Sequence, residues 1–381
     1  MTAPVTPPTD PLDFGETPAA PPPAPPIVRP PPPPPVAVPL GWLLDHASYA
    51  VRARALLEFA GFGESGIADA HRIALGHRPA VRLALAQRRD GTWPGGMLAL
   101  PRTEDPAFAG VGTVPAVRRL VEYGWPVDAP PLWHARRPLF RLLAQDDDPR
   151  FLYELAGDGA DAAAAAHGRH RLREAAASAL AHLGLETDPR LRGAAIRILD
   201  RVAAWVRGDH ATASPLPETA APPSIDMLVM LAHMPIFRTE RTEDLGRLAT
   251  FLTQPAPAGA VKQRVGKTAV PNPRLVLGDP LADVTEPDGK SLPRVLAWLE
   301  ILARLGLLRR HEPWRALLDH LLDLRDADGR WTRPLGTPPA DPLTWPIAPL
   351  GPPDEKASWQ ADVTFRLALV ARLAGRPPVL V

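Results

Sequence analysis

The chain has no cysteine, only four lysines and three tyrosines, and no apolar run near the roughly 18 residues that mark a membrane-spanning helix. Without cysteine there is no disulfide, no thiolate zinc site, no cysteine nucleophile and no iron–sulfur cluster held by the chain itself. That usage is compatible with a cytoplasmic protein. Charge of one sign is also lacking: the formal net charge is +1. No global field therefore favours nucleic acid or an anionic membrane, and neither partner is expected. The N-terminus lacks a basic start followed by an apolar stretch, so no secretory signal is expected. The basic residues are almost all arginine; beside so much alanine and proline this reads as GC-rich coding bias rather than phosphate recognition.

Proline is abundant. Residues 1–40 hold 17 of the 51 prolines, including the run Pro30 to Pro35. Such a segment forms neither helix nor sheet, and a disordered, polyproline-II-biased arm is expected over 1–40. It is either a spacer or a ligand for an SH3- or WW-like domain, with Arg29 the only basic flank.

From Gly41 the pattern is helical and repeats. In "WLLDHASYAVRARALLEFAG", Leu43, Leu44, Ala47, Val51, Ala55 and Leu56 fall near helical spacing. Asp69 is expected to cap the next run, and Thr113 to cap "TVPAVRRLVEYG", which Gly124 closes. The last unit is the clearest. "LPRVLAWLEILARLG" is apolar nearly all round, whereas "EPWRALLDHLLDLRDADGRW" keeps Trp314, Leu317, Leu318, Leu321 and Leu322 on one face. An all-apolar helix is buried and an amphipathic one covers it, so the unit is an inner helix followed by an outer helix. Second helices end near Gln87, Gln145, Val206, Gln254 and Arg325, with gaps of 58, 61, 48 and 71 residues. Strand signals are weak throughout. The expectation is an all-α domain over 41–381 built from five to six helical hairpins. Two long insertions, 208–224 and 254–291, are either functional lids or disordered segments.

The stretch "LALAQRRDGTW", with Leu83, Gln87, Gly91 and Trp93, resembles the QW motif of squalene–hopene cyclases and their relatives in the terpenoid cyclase and prenyltransferase α/α-toroid superfamily. A second copy, "LLDLRDADGRW", sets Leu321, Gly329 and Trp331 in register but has Arg325 where the glutamine belongs. The C-terminal "GPPDEKASWQADVTFRLALVARLAG" resembles the closing helix of uncharacterised bacterial squalene-cyclase-like proteins, with Trp359 opening it and Thr364 inside. The resemblance implies an (α/α) toroid. It also implies that Gln87, Gly91, Trp93, Gly329 and Trp331 are structural staples, the glutamine amide bonding groups at a neighbouring helix end. A HEAT-like solenoid is the rival architecture.

Chemistry is harder to find. The acid motif of a class II cyclase has only "QDDDP" (Gln145 to Pro149) as a candidate, with glutamine in place of the first aspartate. "GKT" at Gly266 to Thr268 lacks the upstream glycine and strand of a phosphate loop. "DADG" puts Leu324 and Leu335 where a calcium loop needs ligands. "GESG" at Gly63 to Gly66 is read as a loop between helices. His167, His170 and Glu174 have helical metal-ligand spacing, but Arg169, Arg171 and Arg173 would repel a cation, so a solvated basic face is the reading. His233, Asp226 and Glu300 remain as candidates for a central cavity. With Glu58 and Glu122, these acids are the main ones on presumed inner helices, where a helix-surface or cap role is the plainer expectation. No cofactor and no metal is expected. The function this supports is a binding or scaffold module for an apolar small molecule or a protein partner. The alternative is an enzyme acting on an isoprenoid or carbohydrate substrate through cavity carboxylates.

Overall fold

A computed structural model describes residues 33–61, 63–101, 108–144, 162–208, 215–257, 259, 261–284, 286–287, 289–334, 343–345 and 356–381. "QDDDP" and residues 1–32 lie outside them. Among the described residues the chain is mostly helical, as its periodicity predicts, with fourteen α-helices and four short strands.

The elements are β1 (Val36–Val38), α1 (Leu40–His46), α2 (Tyr49–Phe59), α3 (Glu64–Leu75), α4 (Arg78–Leu85), α5 (Thr113–Glu122), α6 (Pro130–Ala144), α7 (Ala162–His182) and α8 (Pro189–Val206). After them come α9 (Ile225–Ala232), α10 (Pro235–Glu240), α11 (Thr242–Leu252), β2 (Lys262–Val265), β3 (Thr268–Pro271), α12 (Leu292–Arg304), α13 (Glu312–Asp323), α14 (Lys356–Leu373) and β4 (Pro378–Leu380).

Six of these helices carry the core. Every residue of α9 is buried, and so is every residue of α12 from Val295 to Ala303. The sequence "IDMLVMLA" has no polar face to offer water, so it is covered on all sides. These helices touch in chain order: α5 packs on α7, α7 on α9, α9 on α12, α12 on α14, and α14 on α2. α2 meets α5 through Arg54 and Glu122 and at Gly124, where a Cβ would lie 3.5 Å from Ala53 Cβ. Amphipathic helices cover the set: α3 on α2, α4 on α5, α6 on α7 and α8, α8 on α7, α13 on α14. Buried helices are thus interleaved with amphipathic ones, with two of the latter between α2 and α5 and two between α9 and α12.

Several expectations are corrected. The arm expected over 1–40 gives way earlier, because Val36–Val38 pairs in parallel with Pro378–Leu380 and buries Val36 and Val38. Val36 and Val38 share one face of the strand and are buried, and residues 378–380 supply the partner strand. The all-α expectation likewise misses β2 and β3, an antiparallel hairpin inside the 254–291 insertion whose turn is Gly266 and Lys267. "GKT" is therefore a hairpin turn, with Gly266 at φ 58°. "GESG" is a helix start, not a loop, since α3 begins at Glu64, and Asp69 sits within α3, paired with Arg72. Thr113 does not cap α5; Gly112 holds that position, and the threonine hydroxyl is used across the chain instead.

The two tryptophan turns have the same construction. In the first, Gln87 Nε2 donates to Gly91 O at 3.1 Å and to Pro131 O, in the first turn of α6, at 2.8 Å. In the second, Arg325 Nη1 donates to Gly329 O at 3.2 Å and to Ala37 O, in β1, at 3.1 Å. Trp93 N donates to Thr113 Oγ1 at 3.2 Å; Trp331 N donates to Thr364 Oγ1 at 2.8 Å. Gly91 and Gly329 both have positive φ, 85° and 81°, and both touch a neighbour's carbonyl so closely that a Cβ would lie 2.4 Å from His134 O or 2.8 Å from Ala37 O. Only glycine meets both demands. The copies differ at the indole: Trp93 Nε1 donates to Leu83 O at 2.7 Å, whereas Trp331 Nε1 is buried without a partner.

Candidate functional site

The six inner helices are apolar but not uncharged, and their charges meet. Arg54 of α2 donates from Nη1 to Glu122 Oε2 of α5 at 2.9 Å and from Nη2 to Glu58 Oε1 at 3.3 Å. Glu122 also lies 3.4 Å from His182 Nε2 of α7 and 3.8 Å from Arg366 Nη1 of α14. Arg366 Nε donates to Asp362 at 3.1 Å, and its Nη1 is 3.9 Å from Glu300 of α12. Glu300 takes Arg304 Nη2 at 2.8 Å. Asp226 of α9 pairs with Arg274 from the insertion and stands 3.9 Å from Arg118 of α5. Arg54, Arg118, Arg274, Arg304 and Arg366 thus meet Glu58, Glu122, Asp226, Glu300 and Asp362, and Arg372 also reaches Glu58.

These acids correct the surface-or-cap expectation. Glu122 is 2% exposed, Asp226 3% and Glu300 7%. Burying ions costs several kcal/mol each unless they are paired and hydrogen-bonded. Burial pushes the Glu122 carboxyl up, but Arg54 and then His182 and Arg366 outweigh it and hold it well below the usual carboxylate range. Burial lowers the Arg54 pKa and Glu122, Glu58 and Glu300 raise it, with a net rise. Asp362 goes the other way: burial outweighs Arg366 and raises it.

His233, expected as a cavity residue, caps α9 and lies over His182, with ring centres 4.2 Å apart. A carbonyl only accepts, so His233 Nδ1, 2.9 Å from Val229 O, carries the proton. Burial and His182 push His233 well below its ordinary value, and burial lowers His182. Burial thus favours the neutral form of both imidazoles. His182 Nδ1 and His233 Nε2 are buried without hydrogen-bond partners. They border a cavity of about 300 Å³ at the C-terminal turns of α5, α7 and α12, also lined by Arg54, Glu58, His71, Trp125 and Arg304. No group of three metal-ligating side chains occurs among the described residues.

At the opposite, N-terminal ends of α9 and α12 lies a larger cavity of about 760 Å³. The insertion supplies Val261, Leu275, Val276 and Leu277; Ile225, Trp298 and Leu343 complete an apolar wall, with Asp279, Asp283 and Arg294 as its charged members. Asp279 is held by Trp314 Nε1 at 2.8 Å, so it is fixed to the frame. The insertion is thus a wall of a pocket.

The structure brings together Asp226, Glu300 and His233, as members or neighbours of one network. It places Gln87, Gly91, Trp93, Gly329 and Trp331 elsewhere, in the two turns. Sequence reasoning missed Arg54, Arg118, His182, Arg366 and Arg274. The signal available was charge inside otherwise apolar runs, such as Arg118, Arg119 and Glu122 in "TVPAVRRLVEYG". Glu174 is drawn to Arg201 and to Ser224 Oγ, which donates at 2.7 Å, and not to His167 and His170. Among the described residues no helix is long and apolar enough to cross a membrane.

The chain matches no family model, no curated protein and no solved structure.

Proposed function

We propose that the chain is an α/α toroid of the terpenoid cyclase and prenyltransferase kind, with its axis closed by ion pairs, and that it serves as a binding module for an apolar small molecule. Three observations support the architecture: the chain-order contacts of the six inner helices, the return of α14 to α2, and the shared construction of the two tryptophan turns. An open HEAT-like solenoid would leave its first and last units apart, whereas here β1 pairs with β4.

The observation that carries the binding role is the cavity of about 760 Å³ bordered by Leu275, Val276, Leu277, Trp298 and Leu343. Ligand sites are concave and mostly apolar with a few placed polar groups, and this pocket has that character. The enzymatic alternative asks Asp226 or Glu300 to give up a proton, yet each is ion-paired with arginine. A thermal-shift screen with squalene, isoprenoid alcohols and oligosaccharides tests the reading. Apolar compounds raise the melting temperature, and Leu277→Asp removes the shift. Stabilisation by oligosaccharides alone, or by no compound, overturns it.

A further inference from the structure

The pocket of about 760 Å³ has a neighbour. A cavity of about 270 Å³ lies against it, lined by Trp205 near the end of α8, Phe251 near the end of α11, Gln254 and Pro255; the two walls share Pro257, Leu277 and Gly278. Resting on the reading of the larger cavity as an apolar-ligand pocket, we propose that the two form one site for a single extended hydrocarbon chain, such as that of a long-chain alcohol, with the Leu277 side chain as the gate between them.

The partition is held at its backbone and adjustable at one side chain. Val276 N donates to Pro223 O at 2.8 Å and Asp279 N donates to Gln254 O at 2.7 Å, so the main chain is tied on both sides of Leu277. At Gly278 a Cβ would lie 2.6 Å from Gln254 O, so the two segments touch backbone to backbone. Asp279 Oδ1 accepts from Leu281 N and from Trp314 Nε1, each at 2.8 Å. Of the three shared residues, glycine has no side chain to turn and the proline ring is stiff. Leu277 is half-buried, and a leucine changes rotamer without moving its main chain.

Shape selects the ligand. A compact fused-ring molecule can fill the larger cavity, but only a chain can lie in both across a junction of three residues. The smaller cavity suits a chain end. Trp205 and Phe251 meet edge to face there, with ring centres 5.4 Å apart, and aromatic rings offer much apolar surface at little entropic cost. The same two rings border a further cavity of about 320 Å³ whose other walls include Arg207, Arg247 and Thr250. A hydrocarbon gains nothing in that polar space, so the chain ends at the rings. The polar end is left in the larger cavity, where Asp283 and Arg294 are both exposed. A hydroxyl donates to the carboxylate or accepts from the guanidinium.

The experiment is calorimetric titration of the full chain with straight-chain primary alcohols of increasing length. Affinity should rise about fourfold with each added methylene until the chain end reaches the rings, and then level off. Leu277→Trp bars the gate. Gln254→Trp, at an exposed position that borders the smaller cavity and not the larger, fills the chamber behind it. Both variants should make the rise stop at a shorter chain, and Gln254→Trp should leave the shortest alcohols binding as in the wild type. A terminal bromine quenches nearby indole fluorescence, so Trp205→Phe should remove part of the quenching by long brominated alcohols and none of that by short ones. The same levelling length in the wild type and in both variants overturns the gate and leaves the apolar pocket standing. No binding by an alcohol of any length overturns both.

Discussion

Consider Glu122→Gln. The substitution keeps the side chain's volume and one acceptor oxygen, so it isolates the charge. In the wild type Arg54 Nη1 stands 2.9 Å from Glu122 Oε2, with Arg366 Nη1 at 3.8 Å. At an effective dielectric near 20, two unit charges about 4 Å apart attract by about 4 kcal/mol. Arg54 retains Glu58 and the backbone carbonyl of Glu122, so it is not left bare. Removing one partner of a buried pair leaves the other desolvated and costs about 3–5 kcal/mol. A domain holds only about 5–15 kcal/mol in all, so the loss is large. Urea unfolding followed by circular dichroism should show a lower midpoint at unchanged slope.

The companion variants make the reasoning strict. Arg54→Met alone should cost a similar amount, whereas Arg54→Met with Glu122→Leu should recover most of it, because both desolvation costs vanish together. Glu122 also has a pH signature. Its folded pKa lies well below 4.5, so its contribution is present above the unfolded value and is lost as pH falls through the folded one. Glu122→Gln should therefore lack part of the acid limb of the stability curve. A loss under about 1 kcal/mol for the single variant would mean that water or rearrangement replaces the pair, and the buried network would not be what holds these helices together.

Two further outcomes follow from the same structure. His77 is buried against Tyr123, with ring centres 4.6 Å apart, and burial, then Arg119, lowers it from 6.5 to about 4. Its neutral form is favoured in the fold, so its contribution is complete above pH 6.5 and declines as pH falls toward 4, by about 3 kcal/mol at 1.36 kcal/mol per pH unit. His77→Phe should flatten that part of the profile in pH-dependent urea titrations, and an unchanged slope would refute it. At the second tryptophan turn, Arg325→Gln should be tolerated within about 1 kcal/mol and Arg325→Ala should cost about 1–3 kcal/mol, since the guanidinium's bonds to Ala37 O and Gly329 O are lost. Equal effects of the two variants on the unfolding midpoint would show that donor chemistry is irrelevant there.

That last case shows what the sequence could and could not reveal. The glutamine-to-arginine change reads as a defect in the copied motif, yet an amide and a guanidinium both present planar N–H donors, and both turns need only donors. The requirement is visible once the carbonyls of Pro131 and Ala37 are in place. Helix positions were legible because burial leaves its mark on composition: "IDMLVMLA" is buried throughout and "LPRVLAWLEILARLG" over Val295 to Ala303. The two turns were marked in the sequence by glycine and tryptophan at matched spacing, but the carbonyls that Gln87 and Arg325 reach were not. The hairpin was not, since "KQRVGKTAVP" is polar and its strands are mostly exposed. The charge network was not legible either. Arg54 and Glu122 are 68 positions apart, Arg372 and Glu58 are 314 apart, and nothing local marks one as the partner of the other. A lone arginine in an apolar run signals only that a partner exists.

The network also decides where a ligand can go. An apolar molecule entering between the six helices would have to separate Arg54 from Glu122 or Arg366 from Asp362, each separation costing several kcal/mol with no polar contact given in return. Burying the same molecule against Leu275, Leu277 and Trp298 breaks no ion pair and gains about 25 cal/mol for each Å² of apolar surface removed from water. The buried ion pairs therefore disfavour a ligand between these helices, and the pocket lies at the N-terminal ends of α9 and α12, beside the 254–291 insertion. By the same reasoning, removing one of these ion pairs without opening a cavity, as in Arg54→Met with Glu122→Leu, should leave binding in that pocket unchanged, and a gain in affinity there would show that the ion pairs are part of the site.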